Sequence, residues 1–117
     1  MPSKNSAQRL QDIVDSIDAI EGFTAGMERD AFAADRKTIY AVVRALEIVS
    51  EASRRLPVEL KDRHPEIDWS AVAASGNVYR HEYDAVDENL IWHTVRHDLD
   101  VLRDAAVIEL ELVRGEP

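Results

Sequence analysis

The stretch from Asp35 to Leu56, DRKTIYAVVRALEIVSEASRRL, decides the fold of this chain. Its apolar residues recur three and four positions apart, which is the spacing of one buried stripe on an α-helix. The stripe consists of Ile39, Val42, Val43, Leu46, Val49 and Leu56. Asp35 is placed to cap the first turn, and Pro57 cannot continue a helix. The pattern therefore predicts one long amphipathic helix over about residues 35–56.

Three further helices are predicted from the same spacing. They cover about residues 6–22, about residues 68–83 and about residues 87–113. Asp68 and Asp87 are placed as the N-caps of the last two. Four amphipathic helices with short connections predict an all-α fold, namely an antiparallel four-helix, up-and-down bundle that forms a single domain over the whole chain.

The remaining segments are predicted as connections. Met27 to Ala34 is compatible with a short helical turn, and Pro57 to Asp68 reads as a loop because it combines two prolines with mixed charges. Trp69 and Trp92 lack the basic neighbours that single-strand binding requires, so both are expected to be core aromatics.

Composition sets the class of protein. The 117 residues are 45% hydrophobic, which suffices for one domain with a core. The sequence has no cysteine, which excludes disulfides and thiolate metal sites and favours a reducing cytoplasm. It contains neither an apolar run long enough to cross a bilayer nor a signal peptide. We therefore expect a soluble cytoplasmic protein with no membrane partner.

The charge restricts where a nucleic acid could bind. The net charge is −9, so the chain as a whole repels a phosphate backbone and any such site must be local. One group of basic residues follows the Asp35 helix: Arg54, Arg55, Lys61, Arg63 and His64. This group is either a solvated helix end or, if folding brings it against Arg80 and His81, part of a site facing a nucleic acid.

The segment Asn77–Tyr83, NVYRHEY, carries the residues best suited to chemistry. An arginine beside a histidine suits phosphodiester cleavage, because the guanidinium stabilises phosphate charge while the imidazole transfers a proton. Asn77 and His81 are four apart and share a helix face, whereas Arg80 and His81 point about 100° apart. The alternative to a catalytic role is that Arg80 lies on the surface, forms a salt bridge with Asp84 and has no function.

Several segments taken in order resemble the HepT-like branch of the HEPN superfamily, over about residue 30 to the C-terminus. The matching segments are Ala41–Ala52 (AVVRALEIVSEA), Ile67-Asp68-Trp69, Asn77-x-x-x-His81-Glu82-Tyr83, Val86-Asp87 and Ile91-Trp92. The resemblance implies an all-helical homodimer that acts as the toxin of a type VII toxin–antitoxin pair. It implies a metal-independent ribonuclease that needs no cofactor. The antitoxin would be an MntA-like nucleotidyltransferase, which transfers AMP to the tyrosine of the His-x-Tyr element.

Carried over by position, the resemblance makes His81 the catalytic histidine, Asn77 its polar companion and Tyr83 the AMP acceptor. The family usually has an arginine directly before the asparagine, and this chain has Gly76 there. Arg80 lies four residues further along the same helix face, and long helical side chains lean toward the preceding turn. Arg80 is therefore predicted to supply the guanidinium that Gly76 lacks.

Glu47 and Glu51 are a second pair of residues four apart. As supporting residues they would orient His81 or pair with Arg80; as solvated acids they would pair with arginines of their own helix, such as Arg55. His93 and His97 have a spacing that zinc can use, but no third ligand is evident, so no metal site is predicted.

Three functions remain open at this point. The leading hypothesis is an RNA-cleaving toxin, in which His81 acts as general acid or base while Arg80 and Asn77 stabilise charge on the phosphate. The alternative is a catalytically impaired helical dimer of the same family that binds a partner or a nucleotide. The third is a helical adaptor. A homodimer is expected because a bundle of this size leaves apolar stripes uncovered.

Overall fold

The computed structural model describes the backbone of residues 4–81 and 88–115 and the side chains of residues 6–75 and 88–115. Over these residues the chain forms seven α-helices and no β-strand, which confirms the predicted all-α fold. The helices are α1 (Lys4–Thr24), α2 (Arg29–Ala34), α3 (Arg36–Arg54), α4 (Val58–Asp62), α5 (Trp69–His81), α6 (Glu88–His97) and α7 (Leu99–Arg114).

Helix α3 is the centre of the fold. It packs against α1 and against α5, and α1 packs in turn against α7. Val42, Leu46 and Val49 of the predicted stripe are buried in the core. Burying each such side chain contributes about 1.5 to 3 kcal/mol. The stripe thus joins the helices on both sides of α3.

The predicted cap of α3 is confirmed. Asp35 Oδ1 accepts the Thr38 backbone N–H at 3.1 Å, and Oδ2 accepts the Thr38 hydroxyl at 2.9 Å. These hydrogen bonds favour the charged carboxylate, so they hold the pKa of Asp35 below its ordinary value. The cap defines the first turn of α3.

Helices α1 and α7 run antiparallel. Arg103 Nε contacts Asp18 Oδ1 at 2.6 Å, and eleven positions later Arg114 Nη2 donates to Gln11 Oε1 at 2.6 Å. Advancing along α7 therefore moves back along α1. The strict up-and-down order of all four long segments, and the dimer, stay predictions.

The segment between α3 and α5 was expected to be a loop, and that prediction is wrong in part. Helix α4 occupies Val58–Asp62, with Pro57 as its N-cap and Leu60 buried. Pro57 precedes the first turn with an extended backbone (ψ 149°), and proline is tolerated there because the N–H that it lacks would have no partner inside the helix. Pro57 therefore ends one helix and begins the next.

The single helix predicted over residues 87–113 is also corrected. It is divided at Asp98 into α6 and α7, and the φ of Asp98 is −106°. The two parts pack on different partners, since α6 contacts α2 and α7 contacts α1. The ring centroids of Phe32 on α2 and Trp92 on α6 lie 5.1 Å apart. The chain bends between these two surfaces.

Two short connections follow the expected pattern. Helix α1 ends before Gly26, whose φ of 77° is readily adopted by glycine. The predicted turn at Met27–Ala34 contains α2. No helix within residues 4–81 and 88–115 is both long and apolar enough to cross a membrane.

Candidate functional site

Helix α5 carries the backbone of the predicted catalytic residues. Asn77, Arg80 and His81 all lie in its C-terminal half, as predicted from the helical spacing. Their side chains lie outside the described residues, and Tyr83 lies outside them altogether. The convergence of Arg80 with His81 therefore stays a prediction.

The start of α5 is held by two kinds of contact. Asp68 Oδ1 accepts the Ala71 N–H at 3.0 Å, which confirms Asp68 as the cap. Trp69 Nε1 donates to the Lys61 carbonyl at 3.1 Å and to the His64 carbonyl at 3.2 Å. Trp69 is half-buried against the core, in agreement with its predicted role. These contacts join α5 to the end of α4.

A third contact holds the middle of α5 against α3. Ser50 Oγ donates to the Ala73 carbonyl at 2.8 Å. Arg54 donates to the same oxygen through Nε at 3.1 Å and through Nη2 at 2.8 Å. Ala73 lies one helical turn before Asn77, so this contact lies next to the segment proposed for chemistry. In the sequence Arg54 belongs to the basic group, and the spacing of α3 does not predict this contact.

The basic group is divided by the fold. Arg63 Nη2 donates to Glu109 Oε1 at 2.6 Å, and His64 Nε2 lies 2.7 Å from Glu109 Oε2. Arg55 Nε donates to Glu51 Oε2 at 3.0 Å. Arg63 and His64 therefore contact a carboxylate on α7, whereas Arg54 contacts α5. Four of the five basic residues are therefore directed at three different partners: α5, Glu51 and Glu109.

Glu109 is a buried acidic residue that was not among the candidates predicted from the sequence. Its side chain is 2% exposed. The Arg63 hydrogen bond holds its pKa below the ordinary value, with a further contribution from His64, although burial acts in the opposite direction. The available signal was its position, since Glu109 continues the apolar spacing from Leu102 through Ala106. A charge inside a buried stripe predicts a buried partner.

The two supporting carboxylates lie on the side of α3 that faces α1. Glu51 pairs with Arg55, which agrees with the expected pairing inside the helix, and its Oε1 lies 3.9 Å from Arg54 Nη1. Glu47 and Glu51 border an open cavity of about 390 Å³ that Arg9 and Arg44 also line. Whether either carboxylate acts on His81 stays a prediction.

A larger and mainly apolar cavity borders α5. It has a volume of about 410 Å³ and lies between α3, α5 and the bend from α6 to α7. Leu46 and Val49 line it from α3, Val72 and Ser75 from α5, and His97 from α6. Its apolar wall can bind an apolar group, and the described residues that line it include no cluster of basic side chains suited to a phosphate.

The remaining histidines show no metal centre among the described residues. The rings of His93 and His97 lie with their centroids 4.5 Å apart. No group of three or more His, Asp or Glu side chains in that part of the chain is arranged to hold a metal ion.

Comparison with known proteins identifies the family. The family model described as "Ribonuclease HepT-like" matches residues 13–107, which include the whole of α5. A Thermococcus cleftensis protein named "Probable ribonuclease HepT" is 42% identical over 94 residues, covering 80% of this chain and 86% of the relative.

A second relative supports the same assignment. A Methanocaldococcus jannaschii protein with the provisional name RNase MJ1216 is 30% identical over 103 residues, covering 88% of this chain and 85% of the relative. No solved structure matches significantly. With a matching family model and relatives named as ribonucleases, this chain belongs to the HepT-like ribonuclease family.

Proposed function

We propose that this chain is a metal-independent endoribonuclease and the toxin of a type VII toxin–antitoxin pair. The observation that carries the proposal is the family match over residues 13–107, which includes the element Asn77-x-x-x-His81-x-Tyr83. In this proposal the protein acts in the cytoplasm on RNA.

The proposed reaction is an internal attack of the RNA 2′-hydroxyl on the adjacent phosphorus. The hydroxyl loses its proton, the bond to the 5′-oxygen of the next nucleotide breaks, and that oxygen takes up a proton, which leaves a 2′,3′-cyclic phosphate and a free 5′-hydroxyl. His81 acts as general base or acid, since an ordinary histidine titrates near physiological pH. Arg80 and Asn77 stabilise the charge that develops on the phosphate, and Glu47 and Glu51 are the supporting carboxylates.

The substitution His81→Ala tests the reaction. We expect the rate of RNA cleavage by the purified variant to fall by at least a hundredfold, because general acid–base catalysis contributes about 10² to 10⁴ to the rate. Expression of the variant should no longer arrest growth. His93→Ala is the matched control, since His93 is an exposed histidine on α6. Cleavage by His81→Ala at the wild-type rate would refute the site.

Neutralisation is proposed to occur at Tyr83. An MntA-like nucleotidyltransferase would attach AMP to its hydroxyl, adding negative charge and bulk next to His81, which would exclude RNA. Mass spectrometry after co-expression with such an enzyme should detect one added AMP on the wild type. Tyr83→Phe should carry none, and modification at Tyr40 instead would contradict the proposal.

The proposed homodimer draws support from α7. Val101, Ile108 and Leu112 are each about half exposed. Their spacings of seven and four residues put them on one helix face, as in an interface between helices. A monomeric mass by light scattering at micromolar concentration would contradict the dimer.

The alternative is a catalytically impaired dimer that binds a partner or a nucleotide. Gly76 favours it, because the family's arginine is absent at that position. Binding of the antitoxin without any RNA cleavage by the wild type would support this alternative over the leading proposal.

A further inference from the structure

We infer that Arg54 binds a backbone phosphate of an RNA strand that lies along α5 beside His81. The inference rests on the proposed function, because it names a residue through which the same site would hold its substrate. Arg54 belongs to α3, outside the segment Asn77–Tyr83 that carries the proposed catalytic residues and the proposed AMP acceptor.

The position of Arg54 is defined by its contact with Ala73. Both Nε and Nη2 donate to the Ala73 carbonyl, at 3.1 Å and 2.8 Å. In an α-helix a carbonyl points toward the backbone N–H four residues later, so this oxygen points toward position 77. The guanidinium therefore lies alongside the turn that joins Ala73 to Asn77.

Helical periodicity relates this turn to the proposed site. Positions 76, 77 and 80 follow Ala73 by three, four and seven residues, so their backbone lies on the same side of α5. Position 81 begins about 6 Å beyond position 77 along the helix axis. Arg54 thus brings a guanidinium to the side of α5 on which the resemblance predicts an arginine and this chain has Gly76.

The charge of Arg54 is only weakly compensated. Its hydrogen-bond acceptor is a neutral carbonyl, and Glu51 Oε1 lies 3.9 Å from Nη1, beyond hydrogen-bond distance. The nearer partner of Glu51 is Arg55, at 3.0 Å. The Arg54 side chain remains 33% exposed. A phosphate can therefore approach a cation in a chain whose overall charge would otherwise repel it.

The geometry of the guanidinium suits such a ligand. The guanidinium has five N–H donors, and two of them are directed at the Ala73 carbonyl. Within the described part of the chain, the other three donate no hydrogen bond. Contact with Ala73 also restricts the rotation of a long side chain before any ligand binds. A preoriented arginine loses less conformational entropy when it binds a phosphate.

The proposed role is in holding RNA, which separates it from the role of His81. Loss of one phosphate contact should weaken RNA binding about five- to tenfold, which is less than the loss of a buried charge-assisted hydrogen bond because the site is partly exposed. It should also reduce the slope of log Kobs against log salt by about 0.7, the value for one phosphate of a single strand. KM for RNA cleavage should rise more than kcat falls.

The test uses Arg54→Gln in the full chain. Glutamine is neutral but still carries an N–H donor for the Ala73 carbonyl. RNA binding is measured over a range of salt concentrations with a single-stranded oligonucleotide in the His81→Ala background, and cleavage is measured without that substitution. Arg54→Lys is the second variant, because it retains the charge and should keep the salt slope while it loses affinity.

Two substitutions serve as controls. Ser50→Ala removes the other hydrogen bond to the same carbonyl, so it reports the effect of loosening α3 from α5 without a change of charge. Arg103→Ala removes a guanidinium that is 35% exposed but contacts Asp18 on α1. Both should retain wild-type salt slopes and RNA affinities.

The outcomes distinguish the two proposals. A reduced slope and a raised KM in Arg54→Gln alone would support the inference. If Arg54→Gln has the same salt slope, RNA affinity and KM as Arg103→Ala, while cleavage by the wild type depends on His81, the inference is overturned and the proposed function stays intact. A wild type that binds RNA with an Arg54-dependent slope but does not cleave it would instead refute the proposed catalysis.

Discussion

Arg54 and Arg63 lie nine residues apart on either side of Pro57, and the fold uses their charges in opposite ways. Arg63 is itself half exposed but donates to Glu109, a carboxylate that is 2% exposed, so its charge is compensated by a buried anion. Arg54 donates to the neutral carbonyl of Ala73 and keeps its charge at the surface. Two members of one basic group thus divide into a stabilising contact and a candidate ligand-binding residue.

The physical difference lies in the acceptor. A buried carboxylate requires a cation and hydrogen-bond donors, because the loss of hydration would otherwise destabilise the charged form. A helix carbonyl already has an acceptor role in the backbone ladder and needs no cation. Removal of Arg63 therefore leaves the buried Glu109 carboxylate without its arginine partner. Removal of Arg54 leaves a helix that retains its own backbone hydrogen bonds.

Among the substitutions that test this difference, Glu109→Ala should have the largest effect on stability. It leaves a cavity and deprives the buried His64 of its partner, so the free energy of unfolding should fall by about 3 kcal/mol. Urea denaturation at pH 7 measures the change. Glu111→Ala, at an exposed position two residues along α7, should change stability far less. Equal losses in both variants would contradict the role of the buried network.

Acid should weaken the same network with a smaller effect, because protonation removes the charge of Glu109 but leaves the side chain in place. Its folded pKa is lowered, so its contribution is present above the ordinary carboxyl range and is lost as pH falls through the folded pKa. The stability of the wild type should therefore decline from pH 6 down to below about pH 4.5. Glu109→Gln should show a shallower decline in urea midpoints over this range; a decline parallel to that of the wild type would exclude Glu109 as a main cause.

The smallest stability losses are expected when each of the two arginines is replaced by alanine, and these variants compare the two residues directly. Arg63→Ala should cost about 1.5 kcal/mol, since it removes two charge-assisted hydrogen bonds from a carboxylate but the guanidinium itself is half exposed. Arg54→Ala should cost about 0.5 to 1 kcal/mol, because its acceptor is a neutral carbonyl that Ser50 also contacts. Thermal or urea unfolding of both variants, measured together, gives the order. A larger loss in Arg54→Ala would show that Arg54 is chiefly a structural tie between α3 and α5.

Much of the helical pattern was predictable because it depends on neighbours in sequence. The stripe of α3 and the caps Asp35 and Asp68 follow from spacing and from hydrogen bonds within three residues. Helix α4 was missed because Pro57 was interpreted only as a stop. The bend at Asp98 was missed because the apolar stripe continues across it, and only the separate partners of α6 and α7 require it.

In the candidate site, too, some residues could be predicted from local sequence and others only from tertiary contacts. His81, Asn77 and Arg80 could be placed on one helix from the sequence, and the family could be recognised from the ordered segments around them. Arg54 could not be connected with that helix, since spacing within α3 says nothing about which carbonyl of α5 it meets. The pairing of Arg63 with Glu109 was hidden for the same reason.

The sequence by itself determined the all-α class, the main helices and the membership of a ribonuclease family, because helical periodicity and short motifs are local. The tertiary structure alone decided which charges are neutralised and which remain at the surface. Arg54 meets an acceptor 19 residues away and Arg63 one that is 46 residues away. Such partners are selected by the packing of whole helices against one another, and that packing determines where the chain keeps a cation available in an acidic protein.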